Sequence, residues 1–144
     1  MIETAERPPV FRTAEHTLGV SVVFTSIRET MAALRTAAAL AGNLNARVTL
    51  LVPQIVPYPR PLDSPPIAAD FSERRLSLVA SGSPVETIVR ILLGRDRLEM
   101  LLTTLTPHSL LVIGGRRRRW PTREKRLAAR LRRAGHDVIL TETE

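Results

Sequence analysis

The chain has 144 residues, of which 44% are hydrophobic, so it can form one globular domain with its own core. It contains no cysteine, which excludes disulfides, thiolate nucleophiles and cysteine-ligated zinc, and its three histidines lack metal-ligand spacing. The net charge is +7, yet residues 116–133 hold ten basic side chains and one acid, so the basicity is local. No apolar run reaches the roughly 20 residues of a membrane-spanning helix, and we expect a cytoplasmic protein without a metal or cofactor.

The chain opens with a polar segment, residues 1–16, which has no periodicity and is predicted to be a flexible leader. One domain, residues 17–144, is expected to follow it. This domain begins with residues 18–25, a β-branched and aromatic run that is typical of a buried strand. Apolar residues then recur at steps of three and four over residues 27–41, which predicts a helix.

That first helix is expected to end at Gly42 and to leave Glu29 on its water-facing side. Residues 46–52 form a second apolar strand, so strand, helix and strand make a βαβ unit with a parallel, right-handed connection. Six of the eleven prolines fall within residues 53–66, which predicts an extended loop because proline lacks an N–H donor. A helix over residues 70–80 is predicted next.

The rest of the chain continues the alternation of strands and helices. Residues 85–93 predict a third strand, and residues 96–106 predict a helix that opens with an acidic N-cap and a capping box. A fourth strand over 109–113, a helix over 121–134 and a fifth strand over 137–141 complete the pattern. This order predicts a three-layer α/β/α sandwich around a five-stranded parallel sheet.

Three stretches of the sequence resemble the universal stress protein family. Residues 38–51 (AALAGNLNARVTLL) are similar to the family's first helix running into its second strand. Residues 109–115 (SLLVIGG) are similar to its fourth strand and glycine turn, and residues 135–140 (GHDVIL) take the place of its closing strand. The resemblance covers about residues 18–142 and implies the strand order 3-2-1-4-5 and a stress-response function.

The sequence departs from the family at its ATP site. Nucleotide-binding members resemble one another in a turn of the form G-x2-G-x9-G-[ST], whose glycines admit phosphate oxygens to backbone N–H groups. Counted from Gly115, the second and third glycine positions are Arg118 and Ala128, and a count from Gly114 fails as well. The aspartate near the end of the family's first strand is absent, since Thr25 stands there. We therefore do not expect ATP to bind in the family's usual way.

The arginine run after the fourth strand is the main candidate for a binding site. Open α/β folds bind ligands at this edge of the sheet, and arginine forks recognise phosphate and carboxylate. The alternative is a solvated basic loop with Trp120 packed on the last helix, and with Ser26 only capping the first helix. The candidate residues for an anion or phosphate ligand are Gly114, Gly115, Arg116, Arg117, Arg118, Arg119, Thr122, Thr25 and Ser26.

The last helix and the last strand suggest contacts of two further kinds. A row of exposed basic residues on one arc of the helix indicates either a water-facing flank or a phosphate-binding row, and His136 is expected to satisfy the helix C-terminus. The row consists of Arg123, Arg126, Arg130 and Arg133. The resemblance implies a homodimer in which the fifth strand, with Val138, Ile139 and Leu140, pairs with its copy.

Three functions remain open at this point. The first is a non-enzymatic regulatory or binding module with an anion site, because no nucleophile stands beside a base and no acids have ligand spacing. The second is a nucleotide-binding stress protein that uses an altered loop. The third is a protein that binds nucleic acid or an acidic partner through the arginine run and the last helix.

Overall fold

The computed structural model describes residues 19–44, 46–62, 69–83 and 85–143, and the predicted leader lies outside them. Nine helices and strands alternate along these described residues. They are β1 (Gly19–Val23), α1 (Ile27–Leu44), β2 (Arg47–Ile55), α2 (Ala69–Ala80), β3 (Thr87–Gly94), α3 (Arg97–Thr104), β4 (Leu110–Arg116), α4 (Arg123–Arg133) and β5 (Asp137–Thr143).

The five strands form one parallel sheet in the order β3-β2-β1-β4-β5, which confirms the predicted fold. Right-handed crossovers in this order place α1 and α2 on one face and α3 and α4 on the other. The core is divided accordingly: Val22 packs with Leu34 of α1, and the next residue, Val23, packs with Leu101 of α3. The strands are therefore covered on both faces, as their apolar runs predict.

The predicted end of α1 at Gly42 is wrong, because the helix continues to Leu44. Ala37, Ala38 and Ala41 are buried in this part of the helix, so packing on the sheet holds it past the glycine. A Cβ at Gly42 would meet nothing within 4 Å. The glycine therefore has no steric function here.

The prediction that residues 53–66 are wholly a loop is also wrong, because β2 extends through Pro53 to Ile55. The pairing of β2 with β1 ends at Leu51, whereas its pairing with β3 continues to Ile55. A proline is tolerated where the ladder on one side has ended. The loop proper begins at Val56, and residues 63–68 lie outside the described part of the chain.

The glycine turn expected after residue 113 is in fact strand. β4 runs through both glycines to Arg116 because β5 is longer than predicted and pairs with it up to Thr143. The backbone N–H of Arg117 still donates to the Thr143 carbonyl at 2.7 Å. The arginine loop, defined from here on as residues 117–122, is therefore short and anchored to β5.

His136 helps to satisfy the C-terminus of α4 as predicted, but through its backbone and not through its side chain. The C-terminus of α4 is closed by the backbone, with Gly135 at φ +101° and the His136 N–H donating to the Leu131 carbonyl at 3.2 Å. The buried imidazole faces β4 instead, where its Nδ1 accepts the Ser109 N–H at 3.1 Å. This contact joins the end of α4 to the start of β4.

Candidate anion-binding site

A cleft of about 310 Å³ lies at the carboxyl edge of the sheet, where β1 and β4 are neighbours. The chain leaves β1 toward β2 and leaves β4 toward β5, so the connections diverge at this point and open a crevice, the usual position of ligands in such sheets. The residues that line the cleft are Thr25, Ser26, Glu29, Gly114, Gly115, Arg116, Arg118, Thr122, Arg123 and Glu124.

The β1 side of the cleft is held by hydroxyl groups. Thr25 Oγ1 donates to the Gly114 carbonyl at 2.8 Å, which ties the end of β1 to β4, and the Thr25 N–H donates to Thr30 Oγ1 at 3.0 Å. Ser26 Oγ accepts the Glu29 N–H at 3.4 Å, so Ser26 caps α1 as the capping interpretation requires. Both residues therefore position α1 as well as line the cleft.

Glu29 is buried, which contradicts the expectation that it faces water. The cause is Gly114, because a Cβ there would overlap the Glu29 carbonyl oxygen and lie 2.7 Å from its carbonyl carbon. The missing side chain lets α1 approach β4 closely. In that position Glu29 Oε2 accepts from Thr143 Oγ1 at 3.2 Å and lies 3.6 Å from Arg116 Nε.

Gly115 likewise lets a helix, in this case α4, approach β4 closely. A Cβ at Gly115 would lie 3.1 Å from the Cβ of Glu124, tighter than most packed carbon contacts. Both glycines line the cleft, but the close approach of Glu29 and Glu124 accounts for the absence of their side chains. The presence of glycine at these two positions is therefore explained without a phosphate that approaches their backbone N–H groups.

The arginine loop is fixed to the first turn of α4. Thr122 is the N-cap, with its Oγ1 accepting the Lys125 N–H at 3.1 Å. Lys125 Nζ donates to the Arg118 carbonyl at 2.8 Å, and Arg126 Nη2 donates to the Pro121 carbonyl at 3.2 Å. The N-terminus of α4, with its positive dipole end, therefore opens on the cleft beside the loop.

The arginines near the cleft differ in their partners. Arg116 faces Glu29, and Arg117 Nε lies 4.0 Å from Glu142 of β5, which also lies 3.6 Å from Lys125 Nζ. No carboxylate of the described residues forms an ion pair with Arg118 or Arg123. The cleft therefore presents two guanidinium groups that are available to an anion.

Arg97, the first residue of α3, adds to the positive field. Burial lowers the pKa of Arg97, the neighbouring Arg123 lowers it further, and Glu124 opposes both effects. Two guanidinium groups from different helices thus stand close enough to repel each other beside the cleft.

The cleft brings together most of the predicted residues and omits two. Arg117 is directed to Glu142, and Arg119 is exposed and outside the lining. The sequence did not predict three lining residues: Glu29 and Glu124, each in the first turn of its helix, and Arg123, which was assigned to the basic row of the last helix. The predicted residues that line the cleft are Thr25, Ser26, Gly114, Gly115, Arg116, Arg118 and Thr122.

The spacing of the family's glycine motif does not match this loop. Ala128, the third glycine position by count, lies inside α4 and is fully buried. The helix has already begun at Arg123, capped by Thr122. The loop is therefore shorter than the motif requires, and a threonine stands at the helix start.

Trp120 is 71% exposed, so the alternative interpretation, in which it packs on the last helix, is wrong in this respect. The apolar side of α4, with Leu127 and Leu131, is already covered by the sheet and α3. These leucine side chains are therefore not available to the indole. Across the described chain no helix is long and apolar enough to span a membrane, and no three His, Cys, Asp or Glu residues are grouped for a metal.

The fold is that of the universal stress proteins. A universal stress protein from Archaeoglobus fulgidus superposes with a TM-score of 0.62 at 17% identity, over 88% of this chain and 98% of that one. A universal stress protein in complex with cAMP superposes with a TM-score of 0.59 at 16% identity, over 90% of this chain and 100% of that one. No protein-family model and no curated protein matches the sequence.

Proposed function

We propose that the protein is a non-enzymatic regulatory module that binds a small, phosphate-bearing anion in the cleft between β1 and β4. The observation that carries this proposal is the pair Arg118 and Arg123, which line the cleft without an ion-pair partner among the described carboxylates. The capped N-terminus of α4 beside them favours negative charge.

The two carboxylates of the cleft do not cancel this preference. Glu29 is engaged by Arg116 and Thr143, and the single negative charge of Glu124 is outnumbered by the positive charges of Arg118 and Arg123. Each charge-assisted hydrogen bond from an arginine to a phosphate oxygen contributes about 1.5–3 kcal/mol. Two such bonds with the helix terminus correspond to an affinity on the order of millimolar or somewhat tighter.

A nucleotide is the second candidate ligand. It is favoured by the solved protein of the same fold that is in complex with cAMP, a nucleotide with one phosphate group. It is disfavoured by Gly114 and Gly115, whose open sides are occupied by Glu29 and Glu124 rather than left for a phosphate. The two candidates differ in whether the nucleoside adds affinity.

Thermal unfolding with inorganic phosphate, triphosphate, ATP and cAMP, at two salt concentrations, tests the proposal. We expect triphosphate and ATP to raise the Tm equally and by several degrees, because a ligand at tenfold its Kd stabilises by about 1.4 kcal/mol. No shift with any of the four compounds would contradict the anion site. A higher Tm with ATP or cAMP but not with triphosphate would show that the cleft is a nucleotide site and not a general anion site.

The edge strand β5 is the basis of a second proposal, that the protein forms a homodimer. The Asp137 N–H and the Thr143 carbonyl both bond toward β4, so the even-numbered residues of β5 direct their backbone groups away from the sheet. The Val138 carbonyl accepts from Arg132 Nη2 at 2.9 Å, which covers one of these groups. Among the described residues, no such bond is seen for the N–H and carbonyl of Leu140, and we expect a partner strand to pair with them.

We expect a homodimer in which Val138, Ile139 and Leu140 contact their copies across a two-fold axis. Sedimentation velocity at high micromolar concentration measures this directly. Leu140→Pro removes an outward N–H and should give a monomer, whereas Leu140→Ala keeps that donor and should leave the dimer. A monomeric unmodified chain would end the dimer proposal.

A further inference from the structure

An exposed stripe of basic residues runs along the outer side of α4 and ends at an exposed indole. At 3.6 residues per turn, its three helical arginines fall within an arc of about 60° and lie along one line of the helix surface. All of its members are exposed, and the indole is 71% accessible. The stripe, named so below, consists of Arg119, Trp120, Arg126, Arg130 and Arg133.

The charges of the stripe are not neutralised within the described part of the chain. No carboxylate of the described residues forms an ion pair with Arg119, Arg130 or Arg133. The single acid of α4, Glu124, faces the cleft instead. Like charges three and four residues apart on a helix repel each other, so a polyanion laid along the stripe would relieve that repulsion.

The backbone on both sides of Trp120 is anchored to α4, although the indole is exposed. Arg126 donates to the carbonyl of the next residue, Pro121, and Lys125 donates to the Arg118 carbonyl, so the loop holds Trp120 close to the start of α4. An exposed aromatic ring within a basic segment of the chain is the arrangement on which unpaired nucleic-acid bases stack. Packing does not explain its position, because the apolar side of α4 is already covered.

We propose that the stripe binds single-stranded nucleic acid, with phosphates along Arg126, Arg130 and Arg133 and one base stacked on Trp120. A duplex keeps its bases inside the stack, and an acidic peptide offers no base, so neither uses the indole in this way. The three helical arginines do not line the cleft, and the inference therefore goes beyond the proposed function and stands apart from it.

Trp120 is the only tryptophan of the chain, so its fluorescence reports the proposed stacking without interference. Titration with an oligo-dT of about ten nucleotides, within the range of known single-strand sites, should quench it saturably. Trp120→Ala should weaken binding of a labelled oligonucleotide about tenfold, by loss of one stacked base, and Trp120→Phe should restore most of it. Arg130→Gln with Arg133→Gln should lower the salt slope by about 1.4.

Arg35→Gln with Arg47→Gln is the matched control, because it removes the same charge from exposed positions on α1 and β2. This control should leave the affinity for the oligonucleotide and the salt slope unchanged. If it lost as much affinity as Arg130→Gln with Arg133→Gln, the stripe would contribute only nonspecific electrostatic attraction. Equal binding of duplex DNA or polyglutamate would also overturn the proposal, as would the absence of saturable quenching. Inorganic polyphosphate should bind without the quenching that a base produces.

Discussion

Replacing Gly114 with alanine is expected to destabilise the protein by about 3 kcal/mol, a large effect for a single added methyl group. The added Cβ would overlap the backbone carbonyl of Glu29, which cannot rotate away as a side chain could. The first turn of α1 would have to move, and with it the contacts of Glu29 to Arg116 and Thr143. Urea unfolding measures the change through its midpoint.

Gly42→Ala is the control for this variant. A Cβ at Gly42 meets nothing within 4 Å, and the residue lies within α1. Alanine there should stabilise the protein by roughly 0.5–1 kcal/mol, since glycine is the poorer helix former. If Gly114→Ala were as stable as the unmodified chain, the close approach of α1 to β4 could not be the reason for the glycine.

The double replacement of Arg118 and Arg123 by glutamine is expected to abolish binding of triphosphate. Loss of two charge-assisted hydrogen bonds costs about 3–6 kcal/mol, which exceeds most of the affinity expected for a small anion. The fold should remain intact, because exposed charges contribute little to stability. Isothermal titration calorimetry, with a thermal unfolding curve of the same sample, separates the two effects.

Arg35→Gln with Arg47→Gln serves as the control for that experiment, since it removes the same charge from exposed positions outside the cleft. It should leave triphosphate binding within about twofold, because these exposed charges act through solvent. Equal losses in the two variants would show that net charge, and not the cleft, attracts the anion.

The layers of the fold could be predicted because each strand is an apolar run and each helix carries a 3.6-residue apolar period. The ends of the strands could not, since they depend on a partner strand. β4 continues through Gly114 and Gly115 only because β5 reaches Thr143, and β2 accepts Pro53 only because its pairing with β1 has ended at Leu51. Such pairing is a tertiary property that local sequence does not record.

The position of the cleft and most of its lining residues could be predicted from the sequence, but its two carboxylates could not. The arginine run after a parallel strand pointed to the carboxyl edge of the sheet, where the cleft lies. Helical periodicity placed Glu29 in water, whereas its burial depends on Gly114, which is distant in sequence. Arg97 does not line the cleft, but it follows β3 at the same carboxyl edge, where such sheets bind their ligands.

A backbone NMR titration with triphosphate tests the central claim, that the cleft binds an anion, most directly. The amide signals of residues 116–125 and of residues 25–29 should shift together and saturate, because these segments line the cleft from its two sides. Cross-peaks from the outer part of α4, near Arg130 and Arg133, should move little. Shifts confined to that outer surface, or no saturable shifts, would contradict an anion site in the cleft.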